Sequence, residues 1–189
     1  RDCCELLEVE QEKPEAPLNL ATPNSHCPIC KTAIKPWQNI PVLSYLLLRG
    51  KCGNCATPIA PRYPVLEMVT GLMTLALAWF FDLSPALLGA ALLTWSLIAL
   101  TIIDIDHQLL PDDITLPLMW LGLLFNLTAT YATLPDAVIG AMAGYLILWS
   151  IYWVFKLLTG KEGMGYGDFK LLAALGAWLG WQVLPLIIL

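Results

Sequence analysis

Charged side chains are scarce in this sequence of 189 residues. They make up 13% of the chain, whereas an ordinary soluble domain contains about 25%. Hydrophobic residues account for 58%, and the mean hydropathy is +0.67. This composition excludes an ordinary soluble domain and predicts an all-α polytopic membrane protein.

A starting methionine and a signal-peptide pattern are also absent. Residues 1–21 are acidic and polar, unlike the apolar segment of an export signal. The chain begins at Arg1 and ends inside an apolar run at Leu189, so we expect both ends to be truncated and any insertion signal to lie upstream. Residues 1–25 are predicted to form a flexible acidic lead-in.

Long apolar segments follow one another after residue 64. A helix that crosses about 30 Å of hydrocarbon needs about 20 residues. On this basis the sequence predicts a bundle of five transmembrane helices within residues 65–189, at about 65–82, 85–104, 114–131, 136–158 and 168–189. Ser84, Asp136 and either Asp112 or Asp113 are the predicted helix caps.

Basic residues are missing from the connections near residue 82 and at residues 132–136. With alternating helices, all of them then lie on one side of the membrane, which the positive-inside rule identifies as cytoplasmic. They are Arg1, Lys13, Lys31, Lys35, Arg49, Lys51, Arg62, Lys156, Lys161 and Lys170. Both acidic motifs and the cysteine-rich segment are predicted on the same side.

Four cysteines form a paired array within residues 26–64, Cys27-Pro-Ile-Cys30 and Cys52-Gly-Asn-Cys55. Two such pairs at this spacing predict a structural zinc site with four thiolate ligands, in a small cytosolic domain. Gly53 suits the tight turn of such a site. The alternatives are four reduced thiols or a pair of disulfides. The adjacent Cys3 and Cys4 are expected to be free or lipid-modified thiols.

Two acidic motifs lie at the ends of predicted helices, Asp104-Ile-Asp-His-Gln-Leu-Leu-Pro-Asp-Asp113 and Gly165-Tyr-Gly-Asp168. Carboxylates at a membrane boundary are energetically costly and indicate function. Asp104 ends one helix and Asp168 begins another, so the two meet if these helices are neighbours. A close pair of carboxyl groups shares one proton, as aspartyl hydrolysis requires. The residues therefore predict an intramembrane aspartic protease with Asp104 and Asp168 as its catalytic pair.

Helix dipoles suggest how this pair divides its roles. Asp168 at a helix N-terminus is favoured as the anion, and Asp104 at a C-terminus as the acid. We therefore expect Asp168 to deprotonate the attacking water and Asp104 to polarise the scissile carbonyl group.

Other residues of these motifs have simpler interpretations. Asp106 and His107 form a polar turn at the membrane surface, although His107 as a metal ligand or base is an alternative. The aromatic run at residues 149–155 is lipid-facing or packing surface, with no cofactor implied.

Four motifs together carry a resemblance to a known family. They are the cysteine array, Arg62-Tyr-Pro-Val-Leu-Glu67, residues 103–113 and Gly165-Tyr-Gly-Asp-Phe-Lys170. Their order resembles that of the type IV prepilin peptidases, bacterial leader peptidases that process pilins and the pseudopilins of type II secretion. The resemblance implies a GxGD-type aspartic protease of the inner membrane, in which Asp104 and Asp168 cleave a short basic leader after its final glycine on the cytosolic side.

The same resemblance implies a second activity and its cofactor. The new N-terminal residue would be N-methylated from S-adenosylmethionine. No glycine-rich nucleotide-binding loop is present, so the methyl-donor site is assigned to the cytosolic segment and to Glu67. The implied partners are prepilins or pseudopilins and the lipid bilayer, with no nucleic acid.

Two other classes of function stay open at this point. A membrane transporter or metal-handling scaffold would use the aspartates as cation ligands, although transporters place such groups near the bilayer midplane. A catalytically silent assembly factor would need neither aspartate.

Overall fold

The computed structural model describes residues 26–27, 29–34, 40, 42–161 and 163–189. Over this part of the chain it is helical, and two isolated β-bridges take the place of strands. The helices are α1 (Leu43–Leu47), α2 (Arg62–Phe81), α3 (Pro85–His107), α4 (Asp112–Asn126), α5 (Leu134–Thr159), α6 (Tyr166–Leu179) and α7 (Leu184–Ile188). The prediction of an all-α fold is confirmed. The predicted lead-in at residues 1–25 lies outside the described residues.

The chain divides into two compact units, Arg1–Ala76 and Leu77–Leu189. The boundary falls within α2. The first unit contains the cysteine array and α1, and the second contains helices α3 to α7.

Among the described helices, α2, α3 and α5 are long and apolar enough to span a membrane, with 20, 23 and 26 residues. The other two predicted spans are shorter than expected, because α4 has 15 residues and α6 has 14. Helix α4 ends at Asn126, and α6 ends where Gly180 takes a φ of 82°. The bounds predicted for these two helices were therefore wrong at their C-terminal ends.

One of the predicted helix caps is confirmed and two are corrected. The Ser84 hydroxyl accepts a hydrogen bond from the backbone N–H of Leu87 at 3.3 Å and caps α3. Helix α5 is capped by Thr133 rather than Asp136, because the Thr133 hydroxyl accepts from the backbone N–H of Asp136. At α4 the cap position is Pro111, which has no side-chain cap.

The core of the second unit surrounds Trp178 of α6. Its side chain is fully buried with Leu100, Leu118 and Ala174. The indole N–H donates to the backbone carbonyl of Leu118 at 2.8 Å. Gly122 of α4 leaves room for this ring, since a Cβ atom there would lie 2.6 Å from it. The indole therefore fixes α6 against α4.

Helices α5 and α6 approach each other through small residues. A Cβ atom at Gly140 would lie 2.3 Å from the carbonyl oxygen of Gly176, and one at Gly144 would lie 2.6 Å from that of Leu172. Close backbone approach at small residues four positions apart is the usual way in which helices associate in lipid. This contact holds α6, the helix of Asp168, in a fixed position in the bundle.

Candidate active site

The two predicted catalytic aspartates lie at helix ends of the second unit. Asp104 belongs to the last turn of α3, which continues three residues beyond its predicted end to His107. The left-handed residue Gln108 ends this helix by donating its backbone N–H to the Asp104 carbonyl oxygen at 2.7 Å. Asp168 is the third residue of α6. Asp104 is exposed, and Asp168 is partly buried.

The two carboxyl groups lie close enough for their charges to interact. Asp168 lies in α6, outside the three candidate spans. Burial and, second, the negative charge of Asp104 raise the pKa of the Asp168 carboxyl group. A hydrogen bond from the Gly165 backbone acts in the opposite direction. This direction is opposite to the one expected from the helix N-terminus, and the roles of the two aspartates stay a prediction.

Direct packing joins the two acidic motifs. A Cβ atom at Gly167 would lie 2.7 Å from the Cβ atom of Leu110. Leu110 belongs to the connection between α3 and α4 and packs against the core around Trp178. The second glycine of the GxGD motif is therefore needed for contact between α6 and this connection.

An ion pair crosses the same contact. The Lys170 Nζ atom lies 2.7 Å from Oδ1 and 2.6 Å from Oδ2 of Asp112. Asp112 was predicted to cap α4, but its carboxylate instead binds Lys170, two residues after Asp168. The sequence predicted no contact for Lys170.

Aromatic rings pack behind the Asp168 turn. Phe169 and Tyr152 are buried, with ring centroids 5.6 Å apart, and the Tyr166 ring lies 5.3 Å from that of Tyr152. Lys156 donates to the Tyr152 hydroxyl at 3.1 Å. Tyr152 belongs to the aromatic run predicted to be lipid-facing or packing surface, and its burial shows that it packs. In the sequence, the spacing of four residues between Tyr152 and Lys156 was the available signal for their contact on one face of a helix.

Three further predicted residues have clear positions. Asp106 and His107 lie in the last helical turn of α3 and are exposed. The polar turn expected there is thus still part of the helix.

Glu67 is an exposed residue of α2, and its Oε2 atom accepts a hydrogen bond from the backbone N–H of Val42 at 3.2 Å. Val42 precedes the first residue of α1, so Glu67 connects two helices of the first unit.

The four cysteines of the array converge in the first unit. Their Sγ atoms all lie within 4.8 Å of one another. Cys27 and Cys55 are 3.8 Å apart, and Cys30 and Cys52 are 4.0 Å apart, without a disulfide. Tetrahedral zinc with Zn–S bonds of about 2.3 Å places neighbouring sulfur atoms about 3.8 Å apart. The cluster therefore has the size of a zinc site with four thiolate ligands.

Each cysteine pair forms the same backbone turn. The N–H of Cys27 donates to the Thr32 carbonyl at 3.0 Å, and that of Cys52 donates to the Thr57 carbonyl at 2.8 Å. The residue four positions after each first cysteine has positive φ, 56° at both Lys31 and Ala56. The left-handed position is therefore Ala56 rather than Gly53, on which the sequence argument had relied.

Hydrogen-bond donors favour thiolates, the form that binds metal, at Cys30 and Cys52, whereas the pKa of Cys27 is raised. Hydrogen bonds from the Thr32 side chain and backbone, and then from Asn54, lower the pKa of the Cys30 thiol to about 5. Backbone N–H groups of Cys55 and Asn54 lower the pKa of Cys52. The donors that favour thiolates at Cys30 and Cys52 therefore agree with the zinc-sized spacing of the sulfur atoms.

Comparison with known protein families covers most of the chain. Residues 91–189 match the type IV leader peptidase family, and residues 6–81 match the bacterial peptidase A24 N-terminal domain. The chain belongs to the type IV leader peptidase family. Asp104 and Asp168 fall in the first match, while Glu67 and the four cysteines fall in the second. The family predicted from the motifs is confirmed.

Several relatives carry the name prepilin leader peptidase/N-methyltransferase. The protein from Aeromonas hydrophila is 61% identical over 93% of this chain and 60% of its own length. The protein from Stutzerimonas stutzeri is 56% identical over 98% of this chain and 64% of its own length. The protein from Klebsiella pneumoniae is 56% identical over 89% of this chain and 74% of its own length. This chain thus spans less than two thirds of the first two. No solved structure matches it.

Proposed function

We propose that this chain belongs to a membrane-embedded aspartic endopeptidase that removes the short leader of type IV prepilins and of type II secretion pseudopilins after glycine. The interaction of Asp104 with Asp168 carries the proposal. Family membership and the names of the relatives support it. The aspartates lie at helix ends rather than in the middle of a helix, which does not favour the alternative of a transporter.

The proposed roles of the two aspartates follow from their environments. Asp168 is the proposed proton donor, because burial and the charge of Asp104 raise its pKa. It donates its proton towards the oxygen of the scissile carbonyl group. Asp104, as the carboxylate, accepts a proton from water while the water oxygen attacks the carbonyl carbon. This division reverses the one predicted from helix dipoles.

Single substitutions of the two aspartates test the peptidase. The full-length protein is assayed in membranes with a synthetic prepilin, and leader removal is followed by mass spectrometry. Asp104→Asn and Asp168→Asn are each expected to reduce cleavage by roughly 100-fold or more. Asp113→Asn controls for loss of an exposed carboxylate in the same region. Cleavage that persists in either Asp104→Asn or Asp168→Asn would overturn the proposed pair.

We further propose N-methylation of the new N-terminal residue, with S-adenosylmethionine as donor and Glu67 at the donor site. The names of the relatives support the activity. In the test, Glu67→Gln keeps a hydrogen-bond acceptor for Val42 but removes the charge. We expect cleavage without the added methyl mass. Normal methylation in this variant would remove Glu67 from the donor site.

Zinc is the proposed occupant of the cysteine cluster, with Cys27, Cys30, Cys52 and Cys55 as ligands. Four thiolates fill a tetrahedral site and leave no position for a reacting water, so the proposed role is structural. Zinc would hold the two cysteine turns together, which a segment this small needs.

We place the protein in the bacterial inner membrane, with the cysteine cluster and both aspartates on the cytosolic side. The positions of the basic residues support this orientation. Reporter fusions test it. A reporter after Gly160 should show cytosolic activity and one after Ala129 periplasmic activity, and the reverse result would contradict the orientation.

A further inference from the structure

The ion pair between Lys170 and Asp112 joins the segments that carry the two aspartates. Asp112 is the first residue of α4, directly after the connection that follows Asp104 and α3. Lys170 lies in α6, two residues after Asp168. Its Nζ atom is within hydrogen-bond distance of both Asp112 oxygens, at 2.6 and 2.7 Å. The pair therefore joins residues that are 58 positions apart in the chain.

Two other contacts hold the motif from the core side. Leu110 packs on Gly167 from the core side, and the aromatic rings of Tyr152 and Phe169 pack behind the turn. Repulsion between Asp104 and Asp168 opposes these contacts, because it favours separation of the two helix ends. An attractive contact that spans the same two segments would counter this repulsion.

We propose that Lys170 and Asp112 are positioning residues, whose ion pair holds the first turn of α6 against the α3–α4 connection and so keeps Asp168 facing Asp104. This inference rests on the proposed function. Neither residue acts on the substrate. Their effect on the reaction comes from geometry, since a shift of about 1 Å in a reacting group can reduce a rate by about 100-fold.

The exposure of the pair separates positioning from general stabilisation. The side chains are 27% exposed for Lys170 and 51% for Asp112. Ion pairs of this exposure contribute little to global stability because solvent screens them and their side chains lose entropy. We therefore expect Asp112→Asn to change the melting temperature little while it loosens the Asp168 turn.

A double-mutant cycle is the first test. We expect Asp112→Asn and Lys170→Met each to lower kcat about tenfold with KM almost unchanged, and the double variant to be no slower than either single one. Lys170→Arg, which can still bind both carboxylate oxygens, should restore most of the rate. As a matched control, Asp113→Asn should combine additively with Lys170→Met. Additive losses in the Asp112 and Lys170 pair would overturn the proposal.

A second measurement keeps this inference distinct from the proposed peptidase. Hydrogen exchange is measured by mass spectrometry on the peptide that covers residues 166–174, in the full-length protein in membranes. Asp112→Asn should speed deuterium uptake there, whereas Asp113→Asn should not. Unchanged uptake in Asp112→Asn would refute the positioning role, even if the peptidase is confirmed. Faster uptake in Asp112→Asn, together with no cleavage by the wild-type protein, would refute the proposed peptidase but support the proposed role of the ion pair.

Discussion

Leu110 lies against the backbone of Gly167, with its Cβ atom 2.7 Å from the position that a Cβ atom of residue 167 would occupy. This contact brings the connection that follows Asp104 onto the turn that contains Asp168. Gly167, the second glycine of the GxGD motif, is thus a packing requirement.

Gly167→Ala should therefore destabilise the second unit. A Cβ atom at 2.7 Å forces Leu110 or the helix to move, and overpacking of this kind costs about 1–3 kcal/mol. Gly165→Ala is the matched control, because its Cβ atom would meet only Asp168 Oδ2, at 3.8 Å. Thermal unfolding in detergent should show a clear loss for Gly167→Ala and little change for Gly165→Ala. Equal losses would show that the Leu110 contact does not decide the effect.

Asp168→Asn should stabilise the protein at neutral pH. The folded-state pKa of Asp168 is raised, by burial first and then by Asp104, so its ionisation in the folded protein costs stability. That cost is absent below pH 3.8, the ordinary pKa of an aspartate. It appears as the pH rises through the folded-state pKa of Asp168. We expect a gain of about 1 kcal/mol or less at pH 7, given solvent screening.

Melting temperatures of wild type and Asp168→Asn across this pH range provide the measurement. The difference should shrink towards zero in acid. Asp113→Asn, which makes the same change in net charge at an exposed position, controls for general electrostatics. A difference that grew as the pH fell would contradict the direction of the Asp168 shift.

Asn126→Leu should be strongly destabilising. The buried Asn126 amide donates to the carbonyls of Ala177 and Trp178, and its oxygen accepts from the N–H groups of Tyr131 and Ala132. Leucine has a similar size but would leave these groups unpaired, at a cost of about 2–4 kcal/mol. Chemical unfolding in mixed micelles measures the change. Thr128→Ala, at an exposed position nearby, should have a small effect.

Metal analysis of the purified protein tests the cysteine cluster. We expect one zinc per chain, and Cys27→Ser or Cys52→Ser should remove it and make the first unit sensitive to proteolysis. Cys3→Ser and Cys4→Ser are the controls, which should retain the metal. Cleavage activity that needs exchangeable metal yet survives Cys27→Ser would contradict a structural role for zinc at this cluster.

Much of the site could be predicted because its chemistry depends on local sequence. The CxxC spacing predicts the convergence of four thiols, and the structure confirms it within 4.8 Å. Helix α3 begins at its predicted Ser84 cap, because a serine before proline is a local signal. Two predictions failed where contacts outside the local sequence pattern decided the outcome. Asp112 binds Lys170 instead of capping α4, and α4 ends at Asn126, whose amide binds the following loop.

The direction of the Asp168 pKa shift also depends on distant residues. A helix N-terminus can be identified from sequence, and it favours a carboxylate. Burial and the approach of Asp104 cannot be identified in that way, because both depend on which helices pack together, and here they dominate.

By itself, the sequence determined the apolar helical character of the chain, the positions of its acidic motifs, the cysteine spacing and the family. These are properties of composition and of residues near one another in the chain. Only the tertiary structure decided that Leu110 rests on Gly167, that Lys170 binds Asp112 and that Asp104 raises the pKa of Asp168. Each of these contacts joins segments more than 50 residues apart, and their approach is fixed by the packing of α6 around Trp178 and against the glycines of α5.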